Sequence, residues 1–191
     1  MNKGRSRLEI LLLAVLALAT LLACKKLAAK LTGKSAGAST SEPFSQSYSS
    51  KNGLITAHYP ASFAAKTVAS SSVELVRNLT LGHDEAVVLV PIQRPITDEL
   101  DELSRIMSNA QTRRLNRFTK RYERRTTCNG QPGIEMEGVW YTKASGAAVV
   151  WHSCNFMRDG HGFSFSYLVP QANEASQGPY LKSIMEATTF N

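Results

Sequence analysis

Three cysteines, four histidines and a run of seven cations are the residues of this chain with chemistry to offer. Cys154 lies two residues from His152, a thiol and an imidazole near enough to serve as nucleophile and base, but no third group that would orient the ring is visible beside them. Glu135 and Glu137 share one face of a strand, yet they fit a ladder without an acid–base role. There is no Gly-x-Ser-x-Gly elbow, no phosphate loop and no His-Glu-x-x-His. Turn residues His83, Asp84, Asp159 and His161 would meet at one end of a sheet, but no pair has recognised ligand spacing, and His58 and His152 read as structural. No metal, no cofactor and no catalytic residue is expected, and the chain is not read as an enzyme.

The clearest chemistry is at the N-terminus. Met1 to Arg7 carries three bases, and Ile10 to Ala23 is fourteen residues without a charge. That is a signal-peptide apolar region, shorter than the ~20 residues a spanning helix needs. An uncleaved anchor and a buried helix are the competing readings, and a buried helix would not begin with three bases and end on a small-residue/Cys step. Leu21-Leu22-Ala23-Cys24 resembles the lipobox of bacterial lipoproteins. The resemblance implies cleavage before Cys24, a diacylglyceryl thioether on its sulfur and an acyl chain on its nitrogen. Two or more chains, at ~0.8 kcal/mol per buried methylene, hold a protein stably at a membrane. The expected address is the bacterial cell envelope, on the periplasmic face of the outer membrane where a cell has two.

Residues 1–23 are thus read as signal, 24–43 as lipidated Cys24 and a flexible tether, and 44–191 as one domain. The tether is rich in Ala, Ser, Gly and Lys and lacks aromatics, so it forms no core. The whole chain of 191 residues is 43% hydrophobic and 19% charged, which excludes global disorder. Its formal charge is +7, and Lys3, Arg5, Arg7 and Glu9 take a net +2 away with the signal. Arg113 to Arg125 holds seven bases and one acid, so the rest of the mature chain is close to neutral. Basicity is one local feature, and an exported protein has little use for nucleic acid.

The elements that would position these residues are mostly short strands. Tyr48 lies in the first, Lys51-Asn52-Gly53 turns the chain, and Leu54 to Tyr59 is the second. Val73 to Leu81 alternates as a half-buried strand, and Gly82-His83-Asp84 leads into Ala86 to Ile92, apolar enough to be central. Ile96, Leu100, Leu103, Met107 and Ala110 then recur at helical spacing, with Thr97 as N-cap and Asp98, Glu99, Asp101 and Glu102 near the positive end. After Gln111 both periods fit, and a strand from about Arg117 to Cys128 is favoured. Asn129 to Gly133 is read as its turn, which would set Arg124 opposite Glu137. Strands from Ile134, from Ala147 and from Phe163 follow, and Pro179 would open a last helix carrying Leu181, Ile184 and Met185.

This order, with a Tyr-x-x-x-x-Gly hairpin, a strand ending His58-Tyr59-Pro60, a Gly-x-Pro-Gly turn before a meander and a closing Ala187-Thr188-Thr189-Phe190, resembles the PsbP/Mog-type fold. That group includes small exported PsbP-like lipoproteins of bacteria. The resemblance implies an α+β domain, a central antiparallel β-sheet flanked by helices in an α/β/α sandwich. It also implies a non-enzymatic binding or assembly factor, since members range from photosystem lumen proteins to a nuclear-transport regulator. It maps no functional residue onto this chain.

Two constellations remain. With Cys24 lipidated, Cys128 and Cys154 are an even pair in an oxidising compartment, where disulfides persist. Tight pairing of the meander would hold them two strand spacings apart, about 10 Å, beyond the ~7 Å limit for a bond. Cys128 ends its strand beside a turn, however, and can leave the ladder. A bond is favoured over two buried thiols or a reactive Cys154. The cations Arg113, Arg114, Arg117, Lys120, Arg121, Arg124 and Arg125 form either a docking strip for an anionic envelope component or acidic protein, or a solvated strand face. The principal reading is a membrane-anchored, non-catalytic binding module. The alternative is a small-ligand carrier or sensor with a pocket between sheet and helix, lined by Trp140, Trp151 and Phe165.

Overall fold

Period-two alternation builds nearly all of this domain. The protein is represented by a computed structural model that describes residues 42–69, 72–78, 84–92, 100–143 and 145–190. The signal, Cys24, most of the tether, the Gly82-His83 turn and the Thr97 cap lie outside the described residues. In chain order the elements are β1 (Gln46–Ser49), β2 (Ile55–Tyr59), β3 (Ala64–Ala69), β4 (Ser72–Asn78) and β5 (Asp84–Ile92). Helix α1 (Leu100–Arg114) precedes a meander of β6 (Thr119–Cys128), β7 (Gln131–Tyr141), β8 (Ala148–Arg158) and β9 (His161–Pro170). One 3-10 turn leads to helix α2 (Glu174–Glu186) and to β10 (Thr189–Phe190). The main sheet has the order β3-β4-β5-β9-β8-β7-β6, antiparallel throughout, and a small sheet has the order β1-β2-β10.

Each strand sends alternate side chains to opposite faces, and both faces are covered. On one, Leu75, Leu89, Phe156, Phe165 and Val169 form a core with Leu181, Ile184 and Met185 of α2 and with Ile55 and Ala57 of the small sheet. On the other, Val88, Met136, Trp140 and Trp151 pack with Leu103 and Met107 of α1. The result is an α+β domain with a helix on each side of a central antiparallel sheet. The short β10 returns the C-terminal segment to β2, where Phe190 packs against Phe156, Phe163 and Phe165.

Four local expectations change. The β6–β7 turn is Asn129-Gly130 alone, both with positive φ (47° and 76°), so Cys128 pairs with Gln131. Pro132 and Gly133 therefore belong to β7, and Pro132 is tolerated because it pairs with β6 before β8 begins to pair. The shorter turn sets Arg124 opposite Glu135, and Tyr122 takes Glu137. Pro179 lies inside α2, because the 3-10 turn has already wound the chain by Glu174, and it removes one backbone donor there. Edge strand β3, which is poor in large apolar residues, has no counterpart in the periodicity. Helix α1 runs on to Arg114, so the strand after it starts at Thr119.

Cys128 and Cys154 form a disulfide with a Cα–Cα distance of 5.7 Å, although β7 lies between their strands. The crossing is made at Gly133. A Cβ there would stand 2.7 Å from the Sγ of Cys128 and 2.8 Å from the carbonyl oxygen of Asn155. A glycine thus leaves the space that the bridge occupies. The Asn129 amide beside it donates to the carbonyls of Met185 and Thr188, satisfying the C-terminal end of α2. Opening the disulfide removes a constraint on a loop of 26 residues, for an expected loss of about 3 kcal/mol in urea unfolding. Gly133→Ala is expected to cost about 2 kcal/mol, because the Asn155 carbonyl is backbone and gives little; a neutral result would show that the bridge does not need this gap.

Candidate functional site

The residues with chemistry come together on the α2 face, where the apolar core ends and β6, β7 and β8 continue. A bulge at Arg121 lets two successive side chains, Arg121 and Tyr122, reach that face. Glu135 and Glu137 project beside them from β7, and His152 from β8, opposite Glu137. Helix α2 adds Glu174 and Lys182, two turns apart. Glu135, Glu137 and His152 are all buried.

The cluster is closed by its own charges. Glu135 accepts from Arg124 Nε at 2.6 Å and from Lys182 Nζ at 3.0 Å. Arg121 Nη1 donates to Glu137 at 3.0 Å and to Glu174 at 2.8 Å. The His152 ring stands between the two buried carboxylates, with Nε2 3.2 Å from Glu135 and Nδ1 3.6 Å from Glu137. It stacks on Tyr167 with centroids 4.7 Å apart, and the Tyr122 hydroxyl donates to Glu137 at 3.3 Å.

Burial pushes the Glu135 carboxyl up, but the hydrogen bonds from Lys182 and Arg124 and the His152 charge outweigh it and hold it below the usual range. The His152 ring beside it does the same for Glu137, against burial and with help from Arg121. Burial, reinforced by the Glu137 charge, raises both Tyr122 and Tyr167 far out of reach of neutral pH. The carboxylates are therefore ionised and paired, and the phenols are neutral. Such a set holds strands and helix together. Cys154 is no nucleophile, since its sulfur is bonded to Cys128.

The strip of seven cations divides in two. Lys120 binds Glu123 at 2.6 Å and Arg125 binds Asp101 at 2.8 Å, both toward α1, while Arg121 and Arg124 serve the cluster on the α2 side. Arg113 is exposed in the last turn of α1, and Arg114 is half-buried there, with burial lowering its pKa. Arg117 stands over the Tyr141 ring at 4.8 Å. No acid lies within ion-pair reach of Arg113, Arg114 or Arg117 among the described residues.

Trp140 and Trp151 face α1, whereas Phe165 faces α2, so the three cannot line one pocket. The expected lining ignored that residues of neighbouring strands share a face only in matching register. Asp159 and His161 are exposed at a turn, His83 lies outside the described residues, and His58 meets Thr189 at 3.3 Å. Among the described residues no group of three His, Cys, Asp or Glu side chains converges as metal ligands. Sequence reasoning missed the Tyr122, Tyr167, Glu174 and Lys182 contributions. The usable signal was Asn129-Gly130, a two-residue turn whose register brings Tyr122 and Arg124 onto Glu137 and Glu135.

No family model matches the sequence, and no curated protein matches it. Solved structures share the fold. Cyanobacterial PsbP (CyanoP) of Synechocystis sp. PCC 6803 aligns with a TM-score of 0.55 and 12% identity, over 83% of this chain and 98% of that one. LpqN of Mycobacterium tuberculosis, involved in cell envelope biogenesis, aligns at 0.51 and 12%, over 72% and 83%. PA94 of Pseudomonas aeruginosa, a protein of unknown function, aligns at 0.51 and 11%, over 74% and 93%. At such identities the likeness is one of fold, and the fold is PsbP/Mog-like.

Glu135 and Glu137 release protons more readily folded than unfolded, so the native state binds fewer protons in acid. Their contribution to stability is complete above about pH 4.3, the unfolded value, and is lost as pH falls through their depressed folded values. Glu135→Gln and Glu137→Gln are each expected to lower stability at pH 7 by about 1–3 kcal/mol and to flatten the acid limb of a Tm–pH profile. An acid limb as steep as that of the parent would contradict the pairing.

Proposed function

We propose that this chain is a non-catalytic lipoprotein of the bacterial cell envelope, held to a membrane through Cys24, whose PsbP-like domain binds or assembles another envelope component. The observation that carries this reading is the distribution of its reactive groups. Cys154, His152, Glu135 and Glu137 are engaged with one another or with fixed partners, while Arg113 and Arg117 keep their charge facing solvent. A surface of that kind suits an anionic partner, and export leaves nucleic acid without a role. The envelope lipoprotein reading rests on the lipobox-like Leu21-Leu22-Ala23-Cys24. The shared fold of LpqN, a protein involved in cell envelope biogenesis, agrees with it. On this reading the protein sits on the periplasmic face of the outer membrane in a cell with two membranes.

The test is fractionation of cells expressing the parent chain and Cys24→Ser, with mass analysis of the mature N-terminus. The parent is expected in the membrane fraction with an acylated residue 24, and the variant in the soluble or unprocessed fraction. Crosslinking in the intact envelope, followed by affinity purification, is expected to recover a partner whose yield falls when Arg113 and Arg117 are replaced by Gln. An unacylated parent would overturn the address, and a turnover activity that Glu137→Gln abolishes without unfolding the chain would overturn the non-catalytic reading.

A further inference from the structure

The free cations and the start of the domain lie at the same end of the sheet. Strand β1 begins there, because Gln46 pairs with Tyr59, the last residue of β2. The chain arrives with Phe44 6.4 Å from the Tyr180 ring, which itself lies 5.5 Å beneath the Arg77 guanidinium. Arg77 pairs with Glu85 near the start of β5, and the next pairs along, Ala86 with Leu168 and Leu168 with Trp151, lead across to Gly138 in β7. From that row β7 runs on to Tyr141, whose backbone N–H donates to Asn116 at 3.0 Å and so holds the end of α1 at this edge. Arg113, Arg117 and Lys143 are exposed around this corner.

The two ends differ in how their charge is paired. The opposite end carries Asp101 and Glu102 at the start of α1, Asp159 in the β8–β9 turn and Glu186 at the end of α2, with Lys51, Arg105, Arg125 and Arg158 as its described cations, and there Arg125 binds Asp101, Arg105 reaches Glu102 and Arg158 reaches Asp159. At the other end Glu174 is bound to Arg121 and Glu42 lies by Tyr180, while Arg113, Arg117 and Lys143 have no acid within ion-pair reach among the described residues. The position of Arg117 adds a second argument. Its φ of 54° is a left-handed backbone that glycine adopts freely and arginine does not, whereas the other non-glycine residues with positive φ, Asn129 and Asp159, are of types that enter it readily. Arginine there is a poor choice for the turn and a good one for an exposed charge steadied on Tyr141.

We infer that Arg113, Arg117 and Lys143 form a lipid-facing end, which seats the domain end-on upon an anionic bilayer, the same surface to which Cys24 ties it. The inference rests on the lipid-anchor reading of Cys24. Read as a flexible tether, the 19 residues from Cys24 to Glu42 would have an r.m.s. span of roughly 25 Å, enough to bring this end within reach of headgroups without spanning the molecule. Each cation near an anionic surface gains about 1 kcal/mol, which over three residues amounts to about a 100-fold bias toward the docked orientation.

The test uses the full lipidated protein reconstituted into vesicles of phosphatidylcholine alone or mixed with phosphatidylglycerol, read by flotation and by hydrogen exchange. The expected result is flotation with both, and slowed exchange in residues 111–118 and 141–147 with phosphatidylglycerol only, reversed by high salt. Arg113→Gln/Arg117→Gln/Lys143→Gln is expected to float equally well but to lose that protection, by about 100-fold in the docked ratio. Arg117→Gly, which relieves the backbone, is expected to keep or raise Tm while weakening protection about fivefold. A parent that fails to float with neutral vesicles would overturn the anchor reading and this inference with it. Flotation with exchange equal on both vesicle types would overturn the inference alone. Protection of the same segments by polyglutamate but not by vesicles would overturn it in favour of an acidic protein partner.

Discussion

A carboxylate with 1% of its surface exposed needs cations to stay ionised, and Glu135 is such a group. It draws Arg124 from the edge strand, Lys182 from α2 and His152 from β8 into one arrangement. Glu137 does the same with Arg121, which reaches on to Glu174. Strand β6 is mostly exposed and has few apolar side chains, so it adds little to the core. It is held instead by these charged contacts, by its ladder with β7 and by the disulfide at its end. The cations of the strip that lie on β6 are therefore part of how the sheet is closed. The ones before it, in the last turn of α1 and on the α1–β6 connection, have no such duty.

That division could not be read from the run of seven bases. Period two identified the strand, but a strand pattern fits any register that differs by two residues, and only the turn decides among them. Taking the turn as Asn129 to Gly133 moved Arg124 past its partner Glu135 to Glu137. The same register argument placed Cys154 opposite Glu135 correctly. The objection to the disulfide came from full strand spacing, which Gly133 relaxes by presenting no side chain. Strand β3 was invisible because Ala64-Ala65-Lys66 carries no alternation worth the name, and its pairing with β4 supplies what its sequence lacks. The meander, the central position of β5 and the apolar stripe of α2 were legible because they follow from pattern and turn residues, and the α+β class came from the resemblance that their order carries.

For function the sequence offered an expected address, from Leu21-Leu22-Ala23-Cys24, and no catalytic motif. CyanoP and LpqN share the fold, at 12% identity each. What the three-dimensional arrangement adds is a distinction among residues that look alike in sequence. Arg121 and Arg124 neutralise buried acids. Arg117 occupies an unfavourable backbone and is exposed, with its guanidinium over the Tyr141 ring. A binding surface assigned to the whole strip would mix groups that hold the fold with groups free to meet a partner.

The most direct test of this account compares thermal unfolding of two double variants with the parent at neutral pH and low salt. Arg121→Gln/Arg124→Gln, which leaves the carboxylates of Glu135 and Glu137 short of cations, is predicted to lower Tm by roughly 5–10 °C. Arg113→Gln/Arg117→Gln, which removes the same formal charge, is predicted to leave Tm within about 2 °C of the parent. Equal losses in the two variants, or a larger loss in the second, would contradict the division of the strip into structural and free cations.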